Sequence, residues 1–337
     1  MKKVKIIAEV GVNHNGSIDL AKNLVRVAAS AGADIVKFQT FNASELIAAG
    51  AQKAAYQEKN TGTGDQLEMV KGLQLSIDDH HTLAGLAAML GITFLSTPFD
   101  HGSVDMLEAF NLPFYKIPSG EMTNAPLLKY IASKGKPVVM STGMAELDEI
   151  QTALDVLEGS GLERKDITLL KCTTDYPTPY SDAQLLGMLT LKEKFNTAVG
   201  YSDHTSGIEV PIAATALGAQ VIEKHITLDR TMPGPDHSAS IEPGELAQMV
   251  RSIRNIEKSL GNGVISPTPT EIQNRIVARK SIHTARLIES GEVLGSEDLV
   301  MKRPGDGISP MELDKVLGKK TIKDLGTEHK LSWEDIE

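Results

Sequence analysis

Lys37, Lys116, His204 and His225 stand where buried strands have no routine use for charge, at the ends of short apolar runs. They have company. Glu9 closes the first such run, Gln39 shares the end of the second with Lys37, and Thr97 ends the third. Lys116, Ser119 and Glu121 straddle the end of the fourth run, and Ser141 ends the fifth. Thr174 and Tyr176 follow the sixth, Ser202 and His204 the seventh, and Glu223 with His225 the eighth. One strand-end lysine or serine is ordinarily a satisfied buried group. The same habit in eight successive runs points to a shared pocket.

These residue types suggest a chemistry. Lys37 and Lys116, with the hydroxyls of Ser119, Ser141, Thr174 and Ser202, suit a small anion bearing phosphate and carboxylate. Ammonium groups act toward phosphate as point charges, and hydroxyls are directional donors. Each lysine could instead simply pair with Glu9, Glu121 or Glu223. The two readings are compatible, with carboxylates orienting lysines and also polarising a second substrate. Two neutral imidazoles at neighbouring strand ends can share one divalent ion and leave positions open for water and substrate. The chain has nine histidines, however, and two can meet at a rim by chance. No tight motif such as H-E-x-x-H or paired C-x-x-C is present, so the residues alone leave metal binding open.

The elements that must position these groups follow from the pattern. The apolar, β-branched runs cover 4–9, 34–39, 93–97, 114–119, 137–142, 167–174, 198–203 and 220–225, each compatible with a buried parallel strand. Between them lie segments rich in Ala, Leu, Lys and Glu, such as 17–31, 77–90 and 146–159. Ser17, Ser76 and Asp182 are N-cap candidates, and Gly32, Gly91 and Gly135 follow helical stretches where a left-handed residue is expected. Eight such repeats over roughly 260 residues match a (β/α)8 barrel, an α/β fold whose strand C-termini converge on one catalytic rim. An open doubly wound sheet would carry a G-x-G-x-x-G loop after its first strand. Gly11-Val12-Asn13-His14-Asn15-Gly16 is not that motif.

The barrel is expected over 1–262, a Gly/Pro/Thr-rich linker over 263–276, and a small module over 277–337. The stretch 42–75, longer than a normal connection and polar at its centre, reads as an insertion capping the rim. The net charge of −10 disfavours nucleic acid or an anionic membrane as partner. The single cysteine, Cys172, excludes an internal disulfide framework and fits a reducing compartment. No run approaches the roughly 18–20 apolar residues of a membrane helix. The basic start at Met1-Lys2-Lys3 meets Glu9 too early for a signal peptide. The expected location is cytoplasmic.

Ten short segments then carry a resemblance. They are 8–16 (AEVGVNHNG), 36–40 (VKFQT), 96–100 (STPFD), 116–121 (KIPSGE), 141–144 (STGM), 176–179 (YPTP), 200–205 (GYSDHT), 223–225 (EKH), 233–237 (PGPDH) and 302–307 (KRPGDG). In this order they resemble the bacterial sialic acid synthase family across essentially the whole chain. The resemblance implies a (β/α)8 TIM barrel followed by an antifreeze-like (SAF) domain, in a domain-swapped homodimer. It implies that Lys37, Lys116, Ser119, Ser141, Thr174 and Ser202 hold phosphoenolpyruvate (PEP). His204 and His225 would bind Mn2+, or Mg2+ or Co2+. Glu9, Gln39, Thr97, Tyr176 and Asp236 would face an N-acetylated amino sugar, and Arg303 would reach the sugar's N-acetyl group in the partner's barrel. Glu121 is similar to the family's proton-transfer residue, with Glu9 and Tyr176 beside the chemistry. Thr174 departs from members that carry Asn there.

The implied reaction joins PEP to the open-chain aldehyde of the sugar and releases phosphate. N-acetylmannosamine would give N-acetylneuraminate, and its 2,4-diacetamido-2,4,6-trideoxy analogue would give N,N'-diacetyllegionaminate. Segments 207–211 and 255–258 resemble both subgroups and leave the sugar open. Two other readings remain on the residues alone. One is a metal-independent lyase in which Lys37 or Lys116 forms a Schiff base with pyruvate. The other is a carbohydrate-binding protein on an inactive barrel.

Overall fold

A computed structural model describes residues 3–337. Eight parallel strands form its main sheet: β1 (Lys5–Gly11), β2 (Ile35–Thr40), β3 (Thr93–Pro98), β4 (Tyr115–Ile117), β5 (Val138–Ser141), β6 (Ile167–Cys172), β7 (Ala198–Asp203) and β8 (Val221–His225). Their lateral order is β3-β2-β1-β8-β7-β6-β5-β4, with β3 and β4 lying against each other across the seam. The pairing of β1 with β8 closes the ring. This is the expected (β/α)8 barrel.

The strands are legible because both faces are buried. Helices cover the outside and side chains fill the lumen, so β-branched and aromatic residues run on without polar alternation. Ile6, Val36, Leu95, Ile117, Met140 and Leu169 are fully buried. The outer helices include Ile18–Ser30, Ile77–Met89 and Leu147–Gly159, where 17–31, 77–90 and 146–159 were expected. Ser17 accepts from the Leu20 N–H and Ser76 from the Asp79 N–H, as N-caps do. Asp182 does not cap a helix. It ends a 3-10 turn (Tyr180–Asp182), and the following helix starts only at Gly187, because Gln184 turns left-handed between them. Thr174 and Ser119 fall just beyond the regular strands, in the loop after β6 and at the start of the 3-10 turn Ser119–Glu121.

The 42–75 insertion folds into three short helices, Ala43–Leu46, Ala55–Thr61 and Gln66–Lys71. Asn60 Nδ2 ties it to the loop after β8 by donating to Pro235 O (2.8 Å) and Ser238 Oγ (3.1 Å).

The chain divides into two compact units, Met1–Gly261 and Asn262–Glu337. The stretch 263–276, expected as an irregular linker, contains most of a helix (Pro269–Ala278). Thr268 and Glu271 close a capping box there, and Pro269 occupies the first turn. In the second unit β9 (Ser281–Thr284) pairs antiparallel with β10 (Leu299–Lys302), and Ile282, Ile288, Leu294, Leu325 and Leu331 form its core. Among the described residues no helix is long and apolar enough to cross a membrane.

Candidate active site

Strand register brings the polar rim residues together. Glu9 sits beside Lys37 across β1/β2 and beside His225 across β1/β8, and Ser202 sits beside Glu223 across β7/β8. Successive strand residues alternate between lumen and helix layer, so 202, 223 and 225 face inward together. Their side chains line a cavity of about 170 Å³ shared with Lys37, Lys116 and His204. A bulge between Glu9 and Gly11 ends β1. Gly11 has φ +55°, and a Cβ there would stand 3.3 Å from both Glu9 Oε1 and His225 Cε1. Glycine meets the backbone's need and keeps this corner open.

The buried charges form one connected cluster. Lys37 Nζ lies 2.9 Å from Glu9 Oε2 and 3.5 Å from Glu223 Oε2, and donates to Thr97 Oγ1 at 3.0 Å. Lys116 Nζ lies 3.6 Å from Glu223 Oε1 and donates to Ser141 Oγ at 2.8 Å. Ser202 Oγ donates to Glu223 Oε1 at 2.9 Å. Burial alone would raise both carboxyls. The two lysines overcome it at Glu223 and hold that group down at about 2, whereas at Glu9 burial prevails over Lys37 and lifts the carboxyl to about 7. Burial also presses the Lys116 ammonium below its ordinary range, against the pull of Glu223. Glu9 Oε2 and Glu223 Oε2 are buried within ion-pair reach of Lys37, yet neither has a well-aligned hydrogen bond.

The imidazoles sit at the cavity's edge. The rings of His204 and His225 are 5.3 Å apart, and Tyr176 lies 4.2 Å from the first and 5.8 Å from the second. His204 Nδ1 is 2.7 Å from Thr173 O, a contact only an N–H can make, so its Nε2 is the nitrogen left to bind a ligand. His225 Nδ1 is buried with no hydrogen-bond partner. Burial, with His204 beside it, keeps His225 neutral by pushing its pKa far down. A neutral imidazole with an orphaned nitrogen, beside a second whose Nε2 is left open, fits a divalent cation. Among the described residues no group of three or more His, Cys, Asp or Glu side chains is arranged for one. Water or substrate would complete the shell.

Residues 24–265 match the NeuB family, and residues 279–337 match the SAF domain. The chain belongs to the NeuB family. It is 50% identical to the N,N'-diacetyllegionaminic acid synthase of Campylobacter jejuni over 96% of this chain and 97% of that one. It is 46% identical to the synthase of the same name from Legionella pneumophila, over 98% and 94%. Its fold is similar to the solved N-acetylneuraminic acid synthetase of Leptospira borgpetersenii, with TM-score 0.71 and 36% identity over 81% of this chain and 90% of that one. This NeuB-family chain is thus an enzyme of the synthase class, a barrel followed by a SAF domain.

Most of the rim residues singled out from the sequence of this NeuB-family chain meet in the one cavity. Glu9, Lys37, Gln39, Thr97, Lys116, Ser119, Ser141, Thr174, Tyr176, Ser202, His204 and His225 all line it. Asp236 lines the adjoining space with Gln39, Tyr176 and His225. Glu121 does not join them. It is half-buried, its Oε2 accepts from Asn124 Nδ2 at 2.7 Å, and the 3-10 turn after β4 carries it away from the cavity wall. Arg303 is exposed and lies in the SAF unit. Sequence reasoning undervalued Glu223, which alone among the described residues pairs with both lysines. Its signal was parity, since a strand that turns His225 inward turns residue 223 inward too. Cys172 also lines the cavity, with Sγ 3.8 Å from His204 Nδ1, and a buried apolar-looking thiol carries no such signal.

Proposed function

We propose that the enzyme condenses PEP with the open-chain aldehyde of 2,4-diacetamido-2,4,6-trideoxymannose, releasing phosphate and forming N,N'-diacetyllegionaminate. The observation that carries this reading is that two buried ammonium groups and two imidazoles open into one cavity. The choice of sugar rests on the two relatives that bear the legionaminic acid name at 50% and 46% identity. N-acetylneuraminate-9-phosphate and pseudaminic acid synthases stand at 35%.

In this reading Lys37 and Lys116 neutralise the phosphate and carboxylate of PEP, and Ser119, Ser141, Thr174 and Ser202 orient them by hydrogen bonds. The methylene carbon of PEP forms the new C–C bond to the aldehyde carbon. Water adds at the neighbouring carbon, and the C–O bond to phosphate then breaks. His204 and His225 hold a divalent ion, Mn2+ or alternatively Mg2+ or Co2+, which supplies Lewis-acid polarisation of an oxygen. Glu9 stands in the cavity and carries the proton that the aldehyde oxygen takes up as it becomes an alcohol. Gln39, Thr97, Tyr176 and Asp236 face the sugar. Glu121, held by Asn124 at the margin, serves the departing phosphate or the water only if its turn swings inward. Arg303 acts across a domain-swapped homodimer, and the enzyme works in the cytoplasm.

The test is phosphate release from PEP on adding each sugar, with EDTA and after Mn2+ is restored. Sugar-dependent release that EDTA abolishes supports the reading; full turnover in metal-free protein overturns it. Glu9→Gln is expected to lose far more turnover than Glu121→Gln. The low-lying Lys116 ammonium favours one rival, a Schiff base with pyruvate. That rival predicts covalent trapping by borohydride with pyruvate alone.

A further inference from the structure

A second cavity, of about 360 Å³, adjoins the first, and Gln39, Phe99, Tyr176 and His225 line both. One molecule can therefore occupy the two together. Its inner end lies among the lysines and imidazoles, where the aldehyde carbon must meet PEP. Its far end enters a space of different character. Leu46, Met69, Val70 and Leu73 of the 42–75 insertion form much of that wall, and among the described residues no lysine or arginine lines it. Gln39, Tyr56, Gln57, Gln66 and Asp236 are polar groups among these apolar side chains. Gln57 Oε1 accepts from the Ala54 N–H (3.0 Å) and from Gln66 Nε2 (3.2 Å). Gln66 lines the same wall, and the Tyr56 phenol stacks over Tyr176 at 5.0 Å beside it.

We infer that the insertion builds a specificity subsite that reads the C4-to-C6 end of the sugar, selecting an acetamido group at C4 and a methyl at C6 over hydroxyls. The inference rests on the synthase reading above and adds the residues that choose among its sugars. An acetamido N–H can donate to Gln66 Oε1, and its carbonyl can accept from the Gln57 amide or the Tyr56 hydroxyl. The acetamido methyl and the C6 methyl suit the Leu46–Met69–Leu73 surface, against which a C6 hydroxyl would lose its water for apolar contact. A C6 phosphate would find no cation there. The Asn60 bonds to Pro235 O and Ser238 Oγ hold the insertion over the mouth, so the wall is part of the resting structure.

The experiment compares kcat/KM by phosphate release for the diacetamido-trideoxy sugar and for N-acetylmannosamine. It uses the full-length wild type, Gln66→Leu and Met69→Ser, with the KM for PEP measured alongside. The wild type is expected to prefer the diacetamido sugar by roughly 100-fold, the scale on which pockets separate such analogues. Gln66→Leu is expected to cut that preference about tenfold or more, through KM for the diacetamido sugar. Met69→Ser narrows it by admitting the 6-hydroxyl. A ratio between sugars is insensitive to partial unfolding, which lowers both rates alike. Equal use of the two sugars by the wild type, or variants that keep its ratio, overturns the subsite while leaving the synthase reading intact. No phosphate release with either sugar overturns both.

Discussion

Along β7 and β8, two sets of buried charges stand back to back. Asp203 and Lys224 point into the helix layer, while Ser202, Glu223 and His225 point into the lumen with Lys37 and Lys116. The outward pair is saturated. Lys224 Nζ donates to Asp203 Oδ2 at 2.5 Å and to Thr205 O, and Asp203 also accepts from the Thr205 N–H and hydroxyl, each at 3.1 Å. The inward set is not: His225 Nδ1 is buried without a hydrogen-bond partner, and Glu9 Oε2 and Glu223 Oε2 have only the ion-pair contact of Lys37, without an aligned hydrogen bond. Buried polar groups in native proteins are nearly always satisfied. Saturation on one face marks a structural device, and its absence one residue away marks a place shaped for something that binds.

The contrast can be broken by exchanging the kind of damage each face suffers. Lys116→Met is expected to lower kcat/KM for PEP by about 10²–10³-fold, the scale for truncating a charge that meets an opposite one in a desolvated site. Stability should change little, because Glu223 keeps Lys37 and Ser202. Phosphate-release kinetics and urea unfolding measure the two effects separately, and a large loss of stability would erase the distinction. Lys224→Met should do the reverse. It leaves Asp203 buried without its counter-ion and is expected to destabilise the barrel by about 3–5 kcal/mol. Urea unfolding of the paired Asp203→Leu/Lys224→Met variant should recover most of that loss.

Another buried carboxylate sharpens the rule in the other unit. Asp335 accepts from the Ser332 N–H and hydroxyl (2.7 and 2.9 Å) and from His329 Nε2 (3.0 Å), and lies 2.7 Å from Lys323 Nζ. Burial would raise this carboxyl, but Lys323, Ser332 and His329 together hold it well below the ordinary range. A depressed pKa gives stability that is complete above the unfolded value near 4 and fades as pH falls toward the folded one. Asp335→Asn is therefore expected to weaken the second unit by about 1–3 kcal/mol at neutral pH. The gap from wild type should close below about pH 4, as urea midpoints across a pH series would record. The smallest effect is expected at Thr174, proposed above as one orienting donor among four. Thr174→Ala should raise KM for PEP by about tenfold or less, one ordinary hydrogen bond's worth, and Thr174→Asn should keep most of the affinity.

Several features of this molecule were legible before any coordinates. Strands buried on both faces read as uninterrupted apolar runs, so a polar group at the end of each run stood out, and Lys37, Lys116, His204 and His225 could be picked on that ground. The loops beyond the strands were harder. Glu121 follows Ser119 by two residues, yet a 3-10 turn separates their fates, and no local pattern distinguishes a turn that delivers its carboxylate from one that hands it to Asn124. Asp182 looked like a helix cap until a left-handed residue at Gln184 delayed the helix. The 263–276 stretch read as linker from its Gly and Pro content, although Thr268-Pro269 with Glu271 is a helix start in its own right.

By itself the sequence determined the kinds of element, their number in the barrel and the polar residues that end its strands, because period and burial are local properties of each run. Only the tertiary structure decided which of those residues share a cavity, which carboxyl burial lifts even beside a lysine, and which buried charge is already satisfied. Those outcomes depend on register between strands tens of residues apart and on the desolvation that closure of the barrel imposes. Neither is written in any one segment.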